Sequence, residues 1–166
     1  MLLTRRLLAR WLAPWAALLP LAACDEGWQA EPPVRLPPGL PPGATEPRRW
    51  ALEEVAARLL DRPAALRQAP EELPRVAALV EYLATAFQDG FLPEGRHLTR
   101  LLREGRTAMR LCLGIAADAP PQATADALFA GARPVAGVDP EDARLAPLRR
   151  ALRATREALA AQLQPR

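Results

Sequence analysis

Proline decides where this chain can be helical. It fixes φ near about −65° and has no amide to donate, so a helix admits it in the first turn and excludes it from the interior. The 166-residue chain has 19 prolines. Pro32, Pro33, Pro37, Pro38, Pro41 and Pro42 crowd into residues 25–46, where Leu36-Pro37-Pro38-Gly39 is repeated directly as Leu40-Pro41-Pro42-Gly43. Such a stretch is expected to be an extended polyproline II spacer, disordered relative to any core rather than packed against it. At about 3.1 Å per residue its 22 residues reach on the order of 70 Å. A docking motif for a polyproline-binding partner is the alternative.

After Thr45 the prolines thin out and the residues between them favour helix. Ala, Leu, Arg and Glu dominate and β-branched residues are few. Thr45-Glu46-Pro47 reads as a cap with proline in the first turn, opening a helix to about Asp61 with Leu52, Val55, Ala56 and Leu59 inward; Pro63 ends it, and residues 63–69 can add one turn. A second helix spans roughly Glu71 to Gln88, with Pro74 in its first turn. Its stripe is Val76, Leu79, Val80, Leu83 and Phe87, and Gly90 falls just past its end. A third runs from near Pro93 to about Ala117, with Leu98, Leu101, Leu102, Gly105, Met109, Cys112 and Ala116 on one face. Gly105 in mid-stripe predicts close approach of a neighbouring helix. The short link at Gly90–Pro93 predicts an antiparallel hairpin. A weaker fourth helix covers Gln122 to Ala132, and residues 133–138 form a loop. Asp139-Pro140-Glu141-Asp142 opens a last helix to about Gln164, with Asp139 as its cap and Leu145, Leu148, Leu152, Leu159 and Leu163 inward. The expected fold is all-α, a small bundle of about four main helices over residues 47–166.

The N-terminus has a different organisation. Arg5, Arg6 and Arg10 precede an apolar run from Leu12 to Leu21, followed by Ala22, Ala23 and Cys24. A positive start, a short apolar stretch and small residues are the marks of an export signal. The run is too short for a stable span, which needs about 20 apolar residues. Leu21-Ala22-Ala23-Cys24 resembles the lipobox of bacterial lipoprotein precursors, over the first 24 residues alone. The resemblance implies a signal peptide of residues 1–23, diacylglycerol on the Cys24 thiol, cleavage between Ala23 and Cys24, and acylation of the new amino group. The protein would then meet the membrane through its lipid, with residues 24–46 as the tether. An ordinary secretory signal with Cys24 incidental is the alternative. Thr4-Arg5-Arg6-Leu7-Leu8-Ala9-Arg10 looks like a degenerate twin-arginine signal, against the general secretion route. Asp25 resembles the signal that retains lipoproteins on the periplasmic face of the inner membrane; the outer membrane is the alternative.

Composition then excludes chemistry. Three of the 22 basic residues lie in the leader, which leaves 19 against 19 acids from Cys24 onward. Nucleic-acid binding calls for a basic domain, and this one is balanced. There is no Ser and no Lys, hence no serine nucleophile, Schiff base or P-loop lysine. With Cys24 lipidated, Cys112 has no partner for an intrachain disulfide; its place on an apolar face suggests a buried structural thiol rather than a reactive one.

The strongest surface feature is on the third helix. Arg96, Arg100, Arg103, Arg106 and Arg110 recur at spacings of three and four, one face opposite the leucines. They form either an anion or partner face, suited to phosphate or carboxylate, or a solvated helix face. His97 is the only histidine and has no metal-ligand spacing around it. The acidic pairs Glu53-Glu54, Glu71-Glu72 and Glu141-Asp142 lie near helix starts, where the dipole favours them over glycosidase chemistry. Trp28 is placed for headgroups and Trp50 for the core. No residue set implies a catalytic centre, a metal or a cofactor. The expected function is a non-enzymatic accessory or adaptor in the cell envelope, with an envelope protein as partner. A carrier of an apolar or lipid-like ligand between helices is second. An enzyme assembled only in the fold from His97, Tyr82, Cys112 or carboxylates is third.

Overall fold

A computed structural model describes residues 29–43, 45–131 and 138–162. The export signal, Ala23, Cys24, Asp25, Trp28, most of the loop at 133–138 and the last helix beyond Gln162 lie outside the described residues.

The described chain is all-α. Its helices are α1 (Pro47–Ala56), α2 (Pro63–Gln68), α3 (Leu73–Ala86), α4 (Gly95–Leu113), α5 (Pro121–Phe129) and α6 (Ala146–Gln162). Proline stands in the first turn of α1, α2, α3 and α5, as its missing amide requires. α1, α3, α4 and α6 pack in a ring, with α1 on α3, α3 on α4, α4 on α6 and α6 back on α1. These are the four main helices. α5 covers the outer side of α3, so α3 is buried nearly all round. That is why its alanines Ala77, Ala78 and Ala84 are as buried as Leu79 and Leu83. The core joins Leu52, Val55 and Leu59 to Val76, Leu83, Phe87, Leu102, Met109, Leu148 and Leu152.

Gly105 is where two helices come closest. A Cβ there would sit 2.8 Å from the Leu148 Cα on α6. The expected close approach is therefore present, and its partner is the last helix. The α3–α4 hairpin is antiparallel: Gln88 meets Arg103 and Glu81 meets Arg110. Both pairs share one midpoint, between Gly95 and Arg96 at the start of α4.

Helix ends differ from expectation for local reasons. Within the expected Thr45-Glu46-Pro47 cap it is Glu46 that caps α1; its carboxylate accepts from the Arg48 and Arg49 amides. α1 widens into a π turn over Ala57–Asp61, closed by the Arg62 amide on the Ala57 carbonyl at 2.9 Å, before Pro63 restarts the chain as α2. α4 stops at Leu113, short of Ala117. Gly114 there takes φ of 63°, and the Ile115 amide bonds back to the Arg110 carbonyl at 2.8 Å. The last helix starts late. Asp139 accepts from the Glu141 amide in a turn, and Asp142 caps a 3₁₀ turn, Ala143–Leu145, that leads into α6. Trp50 is half-buried at the rim with Arg75 over its ring. Cys112 is also half-buried.

Residues 29–36 correct the expectation of a spacer held away from the core. The backbone is extended, but it lies on the bundle. Val34 is 3% exposed and Leu36 packs against the core. Prolines on both sides hold the strand extended. Glu31, just before the first pair of prolines, and Val34, between the two pairs, supply the acid and the branched apolar side chain that the bundle surface accepts. Farther on, the Leu40 amide turns back to the Pro37 carbonyl, so the repeat is no uniform polyproline helix.

Candidate functional site

The most elaborate polar arrangement is where this N-terminal strap crosses α3 and α4. Three of the five arginines of the expected face take part. Arg106 grips Glu31 with both terminal nitrogens, at 2.6 and 2.8 Å. Arg103 stands 3.1 Å from the same carboxylate, and donates to the Gln29 carbonyl and the Gln88 side chain at 2.9 Å each. Arg110 holds Glu81 of α3 in a second fork, Nε to Oε1 at 2.7 Å and Nη2 to Oε2 at 2.8 Å. Its remaining terminal nitrogen donates to the Ala117 carbonyl at 2.7 Å, which ties down the chain after α4. Arg106 links the two carboxylates, with its Nε 3.9 Å from Glu81.

Burial decides what these arginines can do. Arg106 is 8% exposed, Arg110 3% and Glu81 2%. A planar guanidinium with two parallel donors suits a carboxylate removed from water. Burial raises the Glu31 carboxyl, but the hydrogen bond and charge of Arg106, with Arg103 and Arg110 behind it, outweigh that and hold it below the usual carboxylate range.

The single arginine face of the sequence is thus two features. Arg106 and Arg110 are internal, and Arg103 is half-buried beneath the strap. Arg96 and Arg100 are exposed near the start of α4. A partner or anion face of all five is corrected to one of those two.

The strap makes further bonds. The Glu31 amide donates to Gln88 Oε1 at 2.8 Å, and Gln88 Nε2 returns a bond to the Glu31 carbonyl. The Val34 amide donates to Thr85 Oγ1 at 3.0 Å, and the Arg35 amide to Gln122 Oε1 of α5 at 2.8 Å. The strap therefore runs in the same direction as α4 and against α3.

The other candidates are dispersed. His97 is exposed, its Nδ1 3.1 Å from Arg100 Nη2, at the mouth of an open groove of about 820 Å³. Glu94, Leu98, Ala154 and Glu157 also line that groove. Cys112 is 15 residues along the same helix, about 22 Å away at 1.5 Å per residue. Burial pushes its thiol up, against a smaller opposing effect of Arg144. Tyr82 lines a different groove, of about 450 Å³, between the strap, Arg48 and Asp89. Burial and the charge of Glu46 push its hydroxyl up to about 12. Five residues of the acidic pairs are engaged in ion pairs: Glu53 with Arg156, Glu54 and Glu72 with Arg58, Glu141 with Arg67 and Asp142 with Arg144. Among the described residues no helix is long and apolar enough to cross a membrane.

Glu31 and Glu81 were not candidates on sequence. Glu81 had a signal: it is the lone acid in the apolar run from Val76 to Phe87. In the folded hairpin the residue across from it is Arg110. Glu31 had none, because its partners lie 72 and 75 residues away.

Comparison with family models, with curated proteins and with solved structures yields no match.

Proposed function

We propose that this chain is an exported lipoprotein whose helical bundle serves as a non-catalytic accessory or adaptor at the cell envelope, anchored through lipid on Cys24. The observation that carries the reading is one of sequence. A positive start, a short apolar run and Leu21-Ala22-Ala23-Cys24 occur together and in order. Two or more acyl chains hold a protein to a bilayer, where one does so only marginally. Asp25 favours the periplasmic face of the inner membrane.

The geometry adds support of two kinds. His97, Tyr82 and Cys112 do not converge, and the buried arginines are committed to carboxylates of the same chain. The segment that follows the anchor is bonded to the bundle, so the lipid is linked to a folded body by a short connection. The carrier alternative draws on the groove of about 450 Å³ beneath the strap. Its lining includes Glu31, Arg48, Gln88 and Asp89, and an apolar ligand there would take polar groups from water without returning their hydrogen bonds.

The test is mass spectrometry of the protein purified in detergent from its own membranes, beside labelled-palmitate incorporation into wild type and Cys24→Ala. The expected result is an acylated peptide beginning at Cys24, no label in the variant, and a protein that copurifies in stoichiometric amount. An unacylated chain cut elsewhere overturns the anchor. A copurifying lipid or small molecule without a protein turns the conclusion to the carrier.

A further inference from the structure

We infer that the cleft filled by residues 29–36, formed by α3 and α4 with the start of α5, is a peptide-binding site. Its ligand in trans is an extended, proline-tolerant segment of a partner protein, with an acid and, three residues on, a branched apolar side chain. This deepens the adaptor reading just proposed, and rests on it for the kind of partner. The strap is then the chain's own occupant of the site, and the partner displaces it.

The seat grips main chain. Two side-chain amides each hold one strap residue by both of its backbone groups. Gln88 accepts from the Glu31 amide at 2.8 Å and donates to the Glu31 carbonyl at 3.1 Å. Gln122 accepts from the Arg35 amide at 2.8 Å and donates to the Arg35 carbonyl at 3.3 Å. Between them Thr85 Oγ1 accepts from the Val34 amide at 3.0 Å. Pro32 and Pro33, which have no amide to offer, lie in the gap and are exposed. Backbone bonds of this kind are open to any extended segment, and side-chain pockets supply the selection.

The recognising groups are aimed by the bundle itself. Gln88 is held by the Thr85 carbonyl at 2.8 Å and by Arg103 at 2.9 Å, and Gln122 by Asp126 at 2.8 Å. The Thr85 hydroxyl donates its proton to the Tyr82 carbonyl at 3.0 Å, which leaves its oxygen to accept. A site arranged before its ligand arrives loses less entropy on binding.

Two strap side chains carry the selection. Glu31 enters the fork of Arg106, a guanidinium 8% exposed that calls for an anion, and Val34 is 3% exposed. Ala30, Pro32, Pro33 and Arg35 are exposed. The strap also leaves space in its seat: beside Ala30, Pro33 and Val34 a groove of about 450 Å³ extends to Tyr82 and Ala86, with room for larger side chains. The contiguous core runs from Ala51 to Leu159, and Leu36 packs against it from outside. The strap can therefore leave without opening the core. Residues 37–46 join it to α1, and a connection of ten residues presents it to the cleft at an effective concentration on the order of millimolar. A free peptide has that to compete with.

The experiment titrates the detergent-solubilised, isotopically labelled protein with an unlabelled synthetic peptide of residues 29–36, acetylated and amidated. Calorimetry reads binding, and hydrogen exchange at the protein's own Val34 amide reads displacement of the strap. Glu31→Gln protein is expected to bind the peptide about tenfold more tightly than wild type, because its strap is weakened while Arg106 remains for the peptide's acid. A peptide carrying Glu31→Gln is expected to bind either protein about tenfold more weakly, and one carrying Val34→Asp not measurably. Saturation is expected to remove protection at Val34 and to keep it in α3, which also verifies that the variant's bundle is intact. No binding to either protein at about 10 mM peptide, above the effective concentration of the tethered strap, overturns the site. So does binding that keeps Val34 protected, or binding indifferent to both peptide substitutions. A wild-type dimer that the peptide dissociates gives the cleft to the strap of a second copy and overturns the partner segment. Each of these failures leaves the anchor and the adaptor standing, since N-terminal mass and copurification read those.

Discussion

Arg110 and Glu81 illustrate how one residue's chemistry is set by its neighbours. On a helix wheel Arg110 belongs to a polar face. In the bundle it is 3% exposed and its partner 2%. Two charges out of water are tolerated here because the fork is bidentate and the remaining donor has the Ala117 carbonyl. Such a pair contributes little net stability against a well-packed apolar pair, but losing one partner leaves an uncompensated buried charge. Glu81→Ala is therefore expected to destabilise the bundle by about 3–5 kcal/mol in urea unfolding, and Glu81→Leu/Arg110→Met to recover most of that. A loss below about 1 kcal/mol in the single variant would mean that water reaches the pair.

At the scale of elements, contact between α4 and α6 depends on the absence of a side chain at Gly105. The atom a new Cβ would meet is the Leu148 Cα, 2.8 Å away. Backbone cannot rotate aside, so the helices must separate. Gly105→Ala gains helix propensity worth up to about 1 kcal/mol and incurs overpacking of about 1–3 kcal/mol. Net destabilisation of about 1–2 kcal/mol is expected, read as a lower urea midpoint; an unchanged or higher midpoint would show that the helices move apart freely. The strap is the second element with a readable dependence. Its Glu31 carboxyl ionises more readily in the folded protein than the ordinary value of 4.5. A lowered folded value means the stabilisation is complete above 4.5 and is lost as pH falls through the folded value. Exchange of the Val34 amide is expected to quicken over that acid range, after correction for intrinsic rates. In Glu31→Gln the strap should be weakened at neutral pH, by about 1–2 kcal/mol, with that acid dependence gone. These same elements mark what was legible in the sequence. Periodicity and proline placement found the helices, the hairpin and the glycine contact, because those are local or repeat every turn. The strap was read as a free spacer because proline content reports an extended backbone but not what the intervening side chains will meet. The arginine face was read as one surface because a helix wheel does not say which flank a distant segment will cover.

For the whole molecule, on the proposed reading, the covalent anchor decides position. From Cys24 onward the chain is balanced and has no net charge to draw it to an anionic bilayer. What would bring the bundle there is the lipid on Cys24, joined to the docked strap through the four residues 25–28. About ten glycines inserted between Trp28 and Gln29 would add on the order of 17 Å of mean reach. Acylation, read by N-terminal mass, and the urea midpoint are expected to be unchanged, since none of the described packed residues is altered. Recovery in the membrane fraction is expected to be unchanged too, because two or more acyl chains hold a protein whatever the length of its link. A lowered midpoint would mean that the strap had been pulled from the bundle; release from the membrane with acylation intact would mean that contacts of the bundle, rather than the lipid, hold the chain there.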